Sequence, residues 1–163
     1  HWCDVKDSWD IHDNQYKTVK EIVNDVIKSP AEIIIITGGE PLIHDLTDLT
    51  AALKETNKKI HLETSGAHPI SGTFDWICFS PKKFKKPLDD FFEISDELKI
   101  IIFNDSDFKW AEDILKKIKN NPELIFQPEW SRSKKNNSKI LEYIKKNPKW
   151  RISLQTHKYL GVE

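Results

Sequence analysis

No methionine occurs among the 163 residues, and only two cysteines and five glycines do. Each shortage excludes something. Two cysteines, Cys3 and Cys78, cannot build a disulfide framework, which fits a reducing compartment and hence the cytoplasm. Apolar runs such as residues 33–36 fall far short of the ~20 residues a bilayer span needs and of a secretory leader. An excess of charge is also lacking, because 25 basic residues face 26 acidic ones for a formal net charge of -1. There is therefore no global basic field for nucleic acid and no acidic tail. Repeats, low-complexity tracts and a linker between domains are absent as well. A sequence without methionine that opens His1-Trp2-Cys3 is expected to be incomplete at its N-terminus. What remains has the size of one domain, residues 1–163, with room for a real core.

Apolar strand-like runs alternate with helix-period segments. Residues 33–37 are four isoleucines and a threonine ended by Gly38-Gly39, which predicts a strand buried on both faces. Further strands are predicted at 59–64, 76–80, 98–103, 124–127 and 151–155. Thr18 with Glu21 three residues on predicts a capping box for a helix over 19–28, striped by Ile22, Val23, Val26 and Ile27. Three more helices are expected at about 45–56, 107–119 and 135–146, with Pro122 and Pro148 as stops after the last two. This order predicts an α/β fold with a mostly parallel sheet of about six strands, an open or partial β/α barrel. Residues 81–96 carry four lysines, two prolines and Phe91-Phe92, and read as a long loop or lid. Residues 131–138 are polar and read as a surface loop leading into a helix.

In parallel α/β sheets the site forms at the carboxyl ends of the strands. Those ends read Thr37-Gly38-Gly39-Glu40-Pro41, Glu63-Thr64-Ser65-Gly66, Ser80-Pro81-Lys82, Asn104-Asp105, Gln127-Pro128-Glu129-Trp130 and Gln155-Thr156-His157-Lys158. All six are polar or glycine-bearing, while the strands are apolar, and this favours a ligand site over a purely structural domain. Singly, each piece has a plainer reading. Gly38-Gly39 serves equally as a tight turn or as a place where a ligand lies against the backbone. Glu63 is an edge charge or an acceptor for ribose hydroxyls. Lys82 is one of four solvated lysines or a partner for a ligand carboxylate. His157 is an ordinary surface histidine, Trp76 and Trp130 are core or rim aromatics, and Cys78 is a small buried hydrophobe. Cys3 has another possibility. Three thiolates in a Cys-x3-Cys-x2-Cys loop hold a [4Fe–4S] cluster and leave one iron open to a chelating substrate. With Cys3 as the last thiolate, the other two would precede His1, a hypothesis that the upstream codons test.

Residues 1–10 (His-Trp-Cys-Asp-Val-Lys-Asp-Ser-Trp-Asp), 36–42 (Ile-Thr-Gly-Gly-Glu-Pro-Leu), 61–67 (His-Leu-Glu-Thr-Ser-Gly-Ala), 76–84 (Trp-Ile-Cys-Phe-Ser-Pro-Lys-Lys-Phe), 97–104, 126–130 and 152–161 together resemble the radical S-adenosylmethionine enzymes. Within that superfamily they resemble the 7-carboxy-7-deazaguanine synthases of queuosine precursor biosynthesis. Gly-Gly-Glu-Pro carries only the superfamily, whereas Ser-Pro-Lys with the terminal Gln-Thr-His-Lys narrows it. The resemblance implies a lyase that converts 6-carboxy-5,6,7,8-tetrahydropterin to 7-carboxy-7-deazaguanine with loss of ammonia. It implies that the first strand and most of the cluster loop lie before His1. It further implies that Cys3 ligates the cluster, with Trp2, Cys3 and Asp4 beside the adenine or the cluster. Gly38, Gly39 and Glu40 would receive the methionine amino group. Glu63, Ser80, Pro81 and Lys82 would hold ribose and carboxylate. Gln127, Pro128, Glu129 and Trp130 would line the adenosine pocket. Thr37, Gln155, His157 and Glu163 would face the pterin.

The cofactor does the hard chemistry in such an enzyme, and the protein orients the C–H bond and keeps water and stray hydrogen donors away. The family also uses Mg2+ with a Thr or Ser hydroxyl two residues after the last cluster cysteine. Here that position is Val5, which has no oxygen donor, so the ion would bind through substrate and water or through Asp4, if at all. A homodimer and an electron donor such as flavodoxin are expected on the same ground. Two other readings compete: another small radical S-adenosylmethionine enzyme, such as a glycyl-radical activating enzyme with a peptide groove, and a ligand-binding α/β domain without catalysis.

Overall fold

The computed structural model describes residues 16–162. Trp2, Cys3, Asp4, Val5 and Glu163 lie outside these described residues. Six strands form one sheet: β1 (Ile33–Ile36), β2 (Lys59–Thr64), β3 (Trp76–Phe79), β4 (Glu97–Ile102), β5 (Glu123–Pro128) and β6 (Trp150–Ile152). They lie side by side in sequence order, and every pairing is parallel. That order has a consequence. Parallel crossovers are right-handed, so a sheet that never reverses its winding sends every crossover helix to the same face. This is how a barrel is wound, and the first and last strands here are not paired with each other. The expected open sheet of barrel type is thus observed.

The helices are α1 (Val19–Lys28), α2 (Thr47–Lys54), α3 (Phe91–Ile94), α4 (Ser106–Leu115), α5 (Ser133–Lys146) and α6 (Thr156–Leu160). The capping box at Thr18 forms as expected, with the Glu21 N–H donating to Thr18 Oγ1 and the Thr18 N–H donating to the Glu21 carboxylate. The core lies between the helices and one face of the sheet. Leu62, Phe79, Leu98, Ile100, Ile102, Phe126 and Trp150 pack there against Ala111, Ile114 and Ile140. Phe126 stacks on Trp150 with ring centroids 3.9 Å apart. Glu112 fastens α4 to α5 and β6, because Tyr143 Oη, Trp150 Nε1 and Lys149 Nζ all donate to its carboxylate at 2.9 Å.

Four expectations need correction. The isoleucine run is not buried on both faces, since Ile33 and Ile35 are 47% and 57% exposed. An edge strand of a sheet with helices on one face has only one covered face. Residues 81–96 are not a free lid, because Phe91 and Phe92 form the short helix α3 and are both buried against Phe79. Residues 131–138 are not a surface loop. They form a 3-10 turn and the start of α5, with Ser133 and Asn136 buried. Asn136 Nδ2 donates to the carbonyls of Ile102 and Phe103, which ties α5 to the end of β4. Finally, β6 stops at Ile152, and Thr156–Leu160 is a helix that the pattern did not announce.

Candidate functional site

Register sorts the strand residues into two sets. Leu62 pairs with Ile77, Thr64 with Phe79, and Leu98 with Leu124, all on the helix-bearing face. The opposite set is His61 with Trp76, Glu63 with Cys78, Cys78 with Glu97, Lys99 with Ile125, and Ile101 with Gln127. This second face carries the polar residues, and most of it is half-buried. At its carboxyl edge lie the strand ends singled out from the sequence.

After β1, Gly38 adopts φ +134°, and a side chain built there would meet no atom within 4 Å. A backbone of this kind favours glycine, and it leaves an opening where a ligand can approach the main chain. Glu40 is turned toward the neighbouring strand. Its carboxylate accepts from Thr64 Oγ1 at 2.6 Å, from the Ser65 N–H at 2.8 Å and from the Ser65 hydroxyl. It also accepts from the Leu42 N–H at 3.3 Å, opening the 3-10 turn that follows. Glu40 is therefore a strut between the β1 and β2 ends, which fixes the position of the two glycines. Thr64 and Ser65 escaped notice as site residues. Their only sequence signal is that they follow Glu63 at a strand end.

After β3, Ser80 is buried and accepts a hydrogen bond from Lys82 Nζ at 2.8 Å. Beyond β5, Glu129 uses its carboxylate on Ser131, accepting from the N–H at 3.2 Å and from the hydroxyl at 2.6 Å. Trp130 meets Tyr159 of α6 edge-on at 5.1 Å, and Lys158 Nζ lies 5.5 Å from the Trp130 ring centroid. This contact brings the segment bearing Gln155 and His157 beside the β5 end. Thr37 and His157 are exposed, and Gln155 is half-buried. Trp76 is half-buried beside His61, at the rim, one of the two places open to it from the sequence.

The pairing of Glu63 with Lys99 has no counterpart in the sequence reading. Lys99 Nζ lies 2.8 Å from Glu63 Oε1, with the lysine side chain 12% exposed and the glutamate side chain 39%. Burial alone would lower the pKa of Lys99, but the carboxylates of Glu63 and Glu97 work against it and the ammonium is held above its ordinary value. The signal was present in Glu97-Leu98-Lys99-Ile100, an alternation that sets two charges on one strand face. Cys78 lies beneath this pair, and its thiol donates to Glu97 Oε1 at 3.2 Å. Burial drives its pKa far up, and the adjacent carboxylates add to the rise against the pull of Lys99. It stays a thiol, and it is the small buried residue that the apolar run predicts.

No group of three or more His, Cys, Asp or Glu side chains among the described residues is arranged to hold a metal. Cys3, the cluster ligand that the resemblance implies, lies outside the described residues. The described residues do fit a nucleoside with an amino-acid tail, through an open glycine backbone, a carboxylate on the polar face, and serine and lysine at the next strand end.

The chain is 48% identical over 162 residues to the 7-carboxy-7-deazaguanine synthase of Flavobacterium psychrophilum, covering 99% of this chain and 77% of that one. The chain belongs to the 7-carboxy-7-deazaguanine synthase family. The Synechocystis enzyme of the same name is 46% identical over 99% of this chain and 77% of its own length. The crystal structure of QueE from Escherichia coli superposes with a TM-score of 0.76 at 25% identity, covering 94% of this chain and 78% of that one. No family profile matches the chain. Its α/β fold is that of a radical S-adenosylmethionine enzyme. Among the described residues, no helix is long and apolar enough to cross a membrane.

Proposed function

We propose that the chain is the catalytic body of a radical S-adenosylmethionine lyase that converts 6-carboxy-5,6,7,8-tetrahydropterin to 7-carboxy-7-deazaguanine and ammonia. The observation that carries this reading is the 48% identity to a named synthase over nearly the whole chain. When bound, the [4Fe–4S] cluster and S-adenosylmethionine supply the radical that takes hydrogen from the substrate, and Cys3 is the residue of this sequence that would hold the cluster.

The chain's own residues bind, orient and exclude. Gly38 and Gly39 give the methionine amino group access to backbone carbonyls, and Glu40 braces that loop against Thr64 and Ser65. Glu63 accepts from ribose hydroxyls. Ser80 and Lys82, with Pro81 setting their turn, hold a carboxylate. Gln127, Pro128, Glu129 and Trp130 wall the adenosine, with Trp2 and Asp4 completing its surroundings. Thr37, Gln155, His157 and Glu163 face the pterin. The half-buried polar face keeps water from the reacting carbon.

Mg2+, where it is used, would bind through the substrate and water alone or through Asp4, because Val5 offers no oxygen. Full turnover in chelator would remove the ion from this account. A homodimer, a flavodoxin-type electron donor and a cytoplasmic setting belong to the same reading. Anaerobic incubation of the reconstituted enzyme with S-adenosylmethionine, a reductant and the carboxy-tetrahydropterin tests it. The expected result is 7-carboxy-7-deazaguanine by mass, with release of ammonia. An unchanged pterin beside a glycyl radical formed on an added protein would overturn it.

A further inference from the structure

Glu63 lies on β2 and Lys99 on β4, with β3 between them. Strands are about 4.8 Å apart, so the two backbones are roughly 10 Å apart and the side chains must meet above β3. They do so because the residue of β3 paired with Glu63 is Cys78, whose side chain is short. A leucine or phenylalanine there would fill the gap through which the ammonium reaches the carboxylate.

The pair is asymmetric. Lys99 is nearly shut away, whereas Glu63, on the polar face, is more than a third exposed. Oε1 of Glu63 takes the lysine, and Oε2 has no hydrogen-bond partner among the described residues. A buried lysine is costly, and a buried ion pair is often no more stable than apolar side chains of the same size. Ile101 and Ile125 show that apolar residues are accommodated on this same face. Packing on this face thus does not require a lysine, and of the two carboxylates that act on it, Glu63 and Glu97, it is Glu63 that its ammonium contacts directly.

We propose that Lys99 is the positioning residue for Glu63, holding one carboxylate oxygen from behind so that the other is presented at the strand end to the vicinal hydroxyls of a nucleoside. This rests on the reading of Glu63 as the ribose acceptor. A carboxylate free to rotate would divide its time among rotamers. One anchored by a charge-assisted bond is already set, and binding then loses less side-chain freedom.

The test is equilibrium binding of S-adenosylmethionine to the reconstituted enzyme without reductant, beside the KM for the pterin. The variants are Glu63→Gln, Lys99→Met, Lys99→Arg and the double variant Glu63→Gln/Lys99→Met. Glu63→Gln is expected to weaken binding about tenfold or more, the scale of a charged hydrogen bond. Lys99→Met should weaken it by a comparable factor, and the double variant by no more than the larger single effect. Lys99→Arg should restore most of the affinity, and the pterin KM should stay within about twofold in all of them.

The failures are distinguishable. If Glu63→Gln binds S-adenosylmethionine normally, the ribose reading itself falls. If Glu63→Gln is weakened while Lys99→Met is normal, or if the two losses add, the positioning role falls and the ribose reading stands. If Lys99→Met raises the pterin KM as much as it weakens S-adenosylmethionine binding, or is not recovered folded while Lys99→Arg fails to restore affinity, Lys99 is merely structural.

Discussion

The two faces of this sheet are made by the same strands from alternate residues, yet they differ in almost every physical property. The helix-bearing face is aliphatic and aromatic, with Ile60, Leu62, Phe79, Leu98, Ile100, Ile102 and Phe126 at no measurable exposure. The other face carries His61, Glu63, Cys78, Glu97, Lys99 and Gln127, with charges that burial makes expensive. The difference teaches where stability and function reside in such a fold. One face supplies the burial that offsets chain entropy, and the other is free to carry groups that stability alone would reject.

Substitutions can sharpen or break that contrast. The largest effect is expected at Phe126, which is fully buried and stacked on Trp150. Phe126→Ala should lower unfolding free energy by about 3–5 kcal/mol. Its neighbour Ile125, half-buried on the other face, should lose less than half of that on truncation. Equal losses in denaturant melts would erase the distinction.

Glu112→Gln comes next. It weakens three hydrogen bonds that bind α4 to α5 and β6, and should cost about 1–3 kcal/mol. The pH dependence follows from the sign of its shift. Burial would raise the Glu112 carboxyl, but Lys149, Trp150 and Tyr143 together hold it below its ordinary 4.5. Its contribution is therefore complete above the unfolded value and fades as pH falls through the lowered folded one. Below about pH 4.5 the wild type should lose stability more steeply than Glu112→Gln, and parallel acid curves would contradict this. Tyr143 is affected in the opposite sense, its hydroxyl pushed up to about 12 by burial and by Glu112.

A comparable stability effect, joined to a functional one, is expected at Gly38. Gly38→Ala forces a strained backbone worth about 1–3 kcal/mol and places a methyl in the ligand approach. S-adenosylmethionine affinity should fall at least tenfold. An unchanged affinity would mean that the ligand does not lie there. The smallest effect is Arg151→Ala, whose pair with Glu123 has side chains 70% and 45% exposed. The unfolding midpoint should not move measurably.

Much of this architecture was legible in the sequence, for reasons that particular residues make clear. Thr18 and Glu21 announce a helix start because both halves of a capping box are local. The six strands and the polar character of their ends were visible because strand period and turn chemistry are local too. What stayed hidden was relational. The isoleucines of β1 look identical in sequence, and only the sheet's one-sided winding leaves Ile33 and Ile35 uncovered. Ser133 and Asn136 look like loop residues until α5 docks and Asn136 finds the carbonyls at the end of β4. Glu63 was a candidate by its place at a strand end. Its partner Lys99 lies 36 positions on, and the pair exists only because the chain between them folds so that Cys78 lies beneath. Glu40 was read as a ligand group, and its ties to Thr64 and Ser65 show it bracing the loop as well.

The claim on which the rest depends is that the polar face and its carboxyl rim receive S-adenosylmethionine. Hydrogen exchange of the reconstituted enzyme, with and without S-adenosylmethionine, measures this most directly. The account predicts slower exchange at residues 37–40, 63–66, 80–82 and 127–130, with α4 and the middle of α5 unchanged. Protection confined to the helices, or none at the four strand ends despite saturating ligand, would contradict it.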